Sequence, residues 1–211
     1  MTWQKLDEQE LVERLTSLTP EGRQAFAASC CERMIPNYEA FVLTEGVADS
    51  KACRQALDAI WRWLSGERIS EQEIRNLRNR CQEAISDPER FGSLWCGLAT
   101  NAVSAIMDAL DCCVNGSPQS AANTGILADD TVYEYISRVD EPLTSSQVQE
   151  RGTGFDLWIM EHPLKKQELQ KQEADIELFA AHLLTPESNQ YLRQSARSFG
   201  VQPFQRGMLK R

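Results

Sequence analysis

Residues 30–41 read CCERMIPNYEAF. Ahead of the proline, Phe26, Cys30 and Met34 fall on one helical face, and beyond it Tyr38 and Phe41 carry the same face forward. Proline lacks the N–H that a helix interior needs and crowds the carbonyl four residues back, that of Glu32, so the helix must kink or restart at Pro36. Ile35 is a poor cap, which favours a kink with both halves packed on one core. Carbonyls freed near a kink need donors, and Arg33, Asn37 and the Tyr38 hydroxyl are close enough in sequence to supply them. Cys30, on the apolar face, reads as a small hydrophobe. Cys31 is the more accessible thiol of the pair, with only Arg33 nearby to favour a thiolate. The stretch therefore reads first as a bent core helix and only second as a site.

Working outward, helix starts are legible along the chain. Asp7 with Glu10, Ser70 with Glu73 and Thr144 with Gln147 have the spacing of capping boxes, in which a short oxygen-bearing side chain accepts from a free backbone amide. Thr19-Pro20, Asp87-Pro88, Ser117-Pro118 and Thr185-Pro186 put proline directly after a capping residue, where its missing N–H costs nothing. In the segment from Lys51, Cys53, Ala56, Leu57, Ile60 and Leu64 follow a helical rhythm that Ser65-Gly66 ends. Residues 94–114, LWCGLATNAVSAIMDALDCCV, are apolar nearly all round and belong at the centre of a bundle. Residues 163–184 predict one long helix whose first half, LKKQELQKQEAD, is solvated and whose second, IELFAAHLL, is core. No stretch alternates as a strand does, leaving only RGTGFDLWIM (151–160) and the tail after Gly200 as extended candidates. The expectation is an all-α, single-domain helical bundle over 1–211, of about eight or nine helices. It would comprise an N-terminal helix in 1–17, a helix kinked near Pro36, a buried central helix and an extended basic tail at 201–211.

Composition narrows the function classes. The chain has 211 residues, of which 42% are hydrophobic and 25% charged, as in ordinary globular proteins. Its formal net charge of −9 opposes nucleic acid and anionic membrane at long range. Residues 193–211 run the other way, with Arg193, Arg197, Arg206, Lys210 and Arg211 and no acid, and read first as a solvated basic tail and second as one that pairs with the acidic body of its own or a neighbouring chain. No apolar stretch reads as a signal or a membrane span, so the expected location is the cytoplasm. Seven cysteines, an odd number, are then expected to stay reduced.

The segments CERMIPNYEAF (31–41), LDAIWRWL (57–64), CQEAISDPERFGSLW (81–95) and EHP (161–163) together resemble the YjaG-like family of bacterial proteins, known as a domain of unknown function. The similarity runs roughly from residue 15 to residue 200, with CERM-x-PNY-x-x-F as its most specific part. It implies a bacterial cytosolic protein with one all-helical domain, and brings no activity, cofactor or catalytic residue. The linker at 151–160 and the arginine-rich end depart from the pattern.

Catalytic and metal signatures are thin. There is no C-x-x-C or H-x-x-x-H, and the two histidines stand at 162 and 182. His182, within AAHLL, reads as a packed histidine, and His162, ahead of Pro163, as a helix-start residue. Neither a G-x-S-x-G, a P-loop nor a G-x-G-x-x-G occurs, so no metal and no cofactor are expected. A polar stripe does run along the central helix through Thr100 or Asn101, Ser104, Asp108, Asp111 and Asn115. It reads first as a solvent-facing edge, and second as the lining of a cleft in which buried carboxylates would need partners. Trp61 and Trp63 point to different faces, one a core anchor and the other a partner-surface residue. Two functions follow. The favoured one is a non-catalytic protein working through protein contact, as a homodimer or with another protein. The other is a small-molecule-binding protein or enzyme with a cleft between the kinked and central helices, using the polar cluster Arg33, Asn37, Tyr38, Asp108 and Asp111.

Overall fold

The computed structural model of the chain describes residues 7–46, 49, 51–84, 95–140, 153–181 and 185–199. Among them the backbone forms nine α-helices and no strand. These are α1 (Glu8–Thr16), α2 (Pro20–Glu45), α3 (Ala52–Leu64), α4 (Glu71–Ala84), α5 (Trp95–Asn115), α6 (Pro118–Tyr135), α7 (Thr153–Glu161), α8 (Pro163–Ala181) and α9 (Pro186–Phe199). A π-helical turn, Ile136–Asp140, prolongs α6. The all-α reading holds, and each described start uses its expected cap. Asp7 Oδ1 accepts from the amides of Gln9 and Glu10 at 2.8 and 3.2 Å, and Thr19, Ser70, Ser117 and Thr185 hydroxyls each accept from the amide three residues on. The starts read at Asp87 and Thr144, His182 and the tail at 201–211 lie outside the described residues.

The helix through Pro36 is a single element from Pro20 to Glu45, ended by Gly46 in the left-handed region at φ 68°. Both halves share one core, since Phe26, Cys30, Met34, Tyr38 and Phe41 are all buried. α2 packs most extensively on α5, where Ala99, Ala102, Ala105 and Ala109 are fully buried. Small side chains let the two rods approach closely. α5 is the one helix among the described residues long and apolar enough to cross a membrane, and most of its apolar side chains, among them Leu98, Val103, Ile106 and Leu110, are buried inside the bundle. Arg23 fastens the α1–α2 corner by donating to the carbonyls of Leu15, Thr16, Leu18 and Gly116 at 2.7–3.1 Å.

Two expectations fail. Residues 153–161 are helical, not extended, because Phe155 and Ile159 recur four apart and bury against Val132 and Ile136. The first half of α8 is also not solvated. Lys165, Glu168, Leu169, Lys171, Gln172 and Asp175 are all buried, for the reason that follows.

Candidate functional site

The polar residues singled out along the chain disperse to separate partners. Arg33, 2% exposed, turns to α8: its Nε and Nη2 donate to the two Glu168 oxygens at 2.9 and 2.7 Å, and its Nη1 donates to Asp175 Oδ2 at 3.1 Å. The Tyr38 hydroxyl donates to the Asp49 carbonyl at 3.1 Å. Asp111, half-exposed, accepts from Arg78 Nε at 3.1 Å, and Asp108 from Asn123 at 3.4 Å. Burial raises the Asp108 pKa, and the Asn123 bond opposes it. Asn37 is fully buried with neither amide atom hydrogen-bonded. Arg33, Asn37 and Tyr38 thus leave the carbonyls around Pro36 alone, contrary to expectation. The stripe on α5 is a half-exposed edge.

Arg33 belongs to a buried charged layer that sequence reasoning missed. α2 contributes Ser29 and Arg33, α6 contributes Asp129, and α8 contributes Lys165, Glu168, Lys171, Gln172 and Asp175. Ser29 donates to Asp175 Oδ2 at 2.8 Å, and the Lys171 ammonium pairs with Asp175. Gln172 donates to the Gly125 carbonyl at 2.9 Å and to Glu168 at 3.0 Å. The Lys165 ammonium lies against Asp129 Oδ1 without an aligned hydrogen bond, and donates to the Asp129 carbonyl at 3.4 Å. Burial pushes the Asp129 carboxyl pKa up, and Lys165 only partly opposes it. Arg33, Lys165 and Lys171 face Glu168, Asp175 and Asp129, so the layer is charge-neutral. Neutrality is what makes it tolerable, because an uncompensated charge at this depth would cost several kcal/mol, about 3–5 on loss of a partner. Gly125 lets α6 come close, since a Cβ there would meet Gln172 Oε1 at 2.9 Å. The available signals were the four-residue spacing of Ser29 and Arg33 on α2 and the opposite charges that share one face of α8.

A second cluster surrounds Glu32, which is inaccessible to solvent. It accepts from Arg54 at 3.0 and 3.2 Å, from Arg193 at 2.6 Å and from Arg197 at 3.0 Å. Burial works to raise its pKa, but Arg54, Arg193 and Arg197 outweigh burial and hold it below the ordinary carboxylate range. Thiol chemistry is suppressed. Burial drives Cys30 up to about 12 and Cys31 well above its ordinary value, and both have no exposed surface, so Cys31 is not the accessible member of the pair. His162 Nδ1 accepts from the Leu164 amide at 3.2 Å, the helix-start role expected of it. No group of three metal-ligating side chains occurs among the described residues.

One open cleft of about 800 Å³ lies where the end of α3 meets the start of α9, lined by Asp58, Trp61, Arg62, Glu67, Asn189 and Arg193 among others. Trp61 is the core anchor of the tryptophan pair at 4% exposure, while Trp63 is half-buried and donates to Gln24 Oε1 at 3.1 Å. Asn189, 2% exposed, donates through Nδ2 to the Leu64 carbonyl at 2.8 Å, which fixes the amide and leaves Oδ1 as its other end. Trp61 Nε1 and Asn189 Oδ1 are buried without a hydrogen-bond partner. Leaving such groups unpaired costs about 1–3 kcal/mol each.

Among curated proteins none matches this chain. A solved structure does: the crystal structure of a DUF416 family protein from Shewanella baltica OS155, at 24% identity and a TM-score of 0.75, covering 93% of this chain and 96% of that one. At that identity the likeness concerns the fold alone. The model of the family described as "Protein of unknown function (DUF416)" matches residues 10–202, and the chain belongs to that family.

Proposed function

We propose that the protein is non-catalytic and works through protein contact, with a second copy of itself as partner. The observation carrying this reading is the dispersal of the reactive-looking side chains. Arg33, Tyr38, Asp108 and Asp111 answer separate partners rather than one cavity, and Ala99, Ala102, Ala105 and Ala109 of α5 are fully buried in the core. Support for contact comes from the surface, where Leu43, Leu157 and Tyr191 stand about 70% exposed, Tyr191 on the same helix as the cleft residues Asn189 and Arg193. Cytoplasmic location and bacterial origin belong to the same proposal. Sedimentation velocity from low to high micromolar concentration tests it. The mass should rise with concentration, and a monomer throughout would reject self-association.

A second reading, ligand binding without catalysis, is favoured by the α3–α9 cleft, whose size falls within the range of small-molecule sites, about 300–1,000 Å³. It moves the cleft away from the α2–α5 interface expected along the chain.

A further inference from the structure

α9 buries one side and presents the other. Asn189, Leu192 and Ala196 are buried, in the three-then-four rhythm of a helix face. Glu187, Gln190, Tyr191, Gln194 and Arg197 recur at the same spacing on the opposite side and are exposed. Tyr191 is the large aromatic group of that face, at 69% exposure. The middle of the face is uncharged, with an acid, Glu187, in the first turn and a base, Arg197, in the last. Arg197 donates through Nε to Glu32 at 3.0 Å with 49% of its side chain exposed. A guanidinium has five donors in a fork and can serve more than one carboxylate.

Such a face is complementary to itself in one orientation. Against a second copy laid parallel, Glu187 meets Glu187 and Arg197 meets Arg197. Glu187 and Arg197 stand five positions on either side of Leu192, so a two-fold axis at that level brings each Glu187 opposite the Arg197 of the other copy. The two helix dipoles then run in opposite directions, and the two Tyr191 rings meet beside the axis. We propose that this face of α9 is an isologous interface with a second copy of the chain, its helices antiparallel and joined by reciprocal Glu187–Arg197 pairs around Tyr191. α9 has 14 residues and is about 21 Å long, so the contact is a small one and the dimer a weak, concentration-dependent one.

This inference rests on the self-association reading and adds which surface meets which. Kd is measured by sedimentation velocity for the full-length wild type, Glu187→Arg and Glu21→Arg. Glu21 is an exposed acid in the first turn of α2, so it gives a matched control. Each substitution removes one negative charge and adds one positive, moving the net charge from −9 to −7, which by itself eases the approach of two acidic chains. Glu187→Arg should nonetheless raise Kd about tenfold, because two exposed attractions become two repulsions. Glu21→Arg should leave Kd unchanged or lower it. Mixing Glu187→Arg with Arg197→Glu should recover wild-type association, since both ends of the mixed pair again carry opposite charges. If Arg197→Glu loses its fold through the contact with Glu32, the comparison of Glu187→Arg with Glu21→Arg decides alone. A Glu187→Arg chain that associates as tightly as wild type, or is weakened no more than Glu21→Arg, overturns this interface and leaves self-association standing. A wild type that stays monomeric removes both.

Discussion

Asn37 sits one turn beyond Arg33 on α2, completely buried, with both ends of its amide unpaired. A buried amide in that state is a net cost to the fold, so an apolar side chain of similar size should be better tolerated there than asparagine. Asn37→Leu is expected to raise the unfolding free energy by about 1–3 kcal/mol in chemical denaturation. A drop in stability would mean that the amide does have a partner. Glu32 behaves in the opposite way, because three arginines reward its charge. Its folded pKa lies below the ordinary 4.5, so its contribution is present above that value and disappears as pH falls through the lower folded value. Asp129 has the reverse sign: its pKa is raised above 3.8, so its ionisation works against folding at neutral pH, and protonation relieves that cost. Glu32→Gln should therefore lower stability at neutral pH and flatten the loss seen on acidification below 4.5. Denaturation midpoints measured from neutral pH into that range give the slope, and an unchanged acid limb would contradict the pairing.

The layer joining α2, α6 and α8 shows which parts of the fold could be read from the chain and which could not. Caps at Asp7, Thr19, Ser70, Ser117 and Thr185 act over three residues, so their chemistry is local and visible in sequence. The continuity of α2 through Pro36 was also legible, because Tyr38 and Phe41 keep the apolar phase. The fate of Arg33 was not, because its partners Glu168 and Asp175 lie 135 and 142 residues away. LKKQELQKQEAD reads as a solvated face on hydropathy alone, and its interior position depends on Arg33 of α2 and Asp129 of α6, which oppose its charges. The same holds for the cleft: the sequence assigned a core anchor to one of Trp61 and Trp63 without saying which, and the position of Trp61 beside Asn189 depends on how α9 packs on the end of α3. At this scale the expected outcome concerns one ion pair. Arg33→Met strands Glu168 and Asp175 and should cost about 3–5 kcal/mol. Arg75→Met, which breaks an exposed pair with Glu71, should cost about 0–1 kcal/mol. Equal losses by thermal or chemical unfolding would show that the buried layer does not hold the helices together.

Across the whole molecule the charged interior and the surface divide the work. Opposite charges cancel within the α2–α6–α8 layer, and the arginines around Glu32 tie α9 to α2 and α3, so the start of α9 is held firmly beside the cleft. On the proposed reading of protein contact, such a scaffold would keep the surface in one shape before a partner arrives and so lower the ordering cost of association. Tyr191, 69% exposed on α9, is placed to contribute apolar area to that surface without supporting the core. The most direct measurement is sedimentation velocity of the wild-type chain beside Tyr191→Glu at matched concentrations. The wild type should gain mass as concentration rises while the variant stays monomeric with an unchanged melting temperature; identical profiles, or a wild type that never associates, would contradict the account.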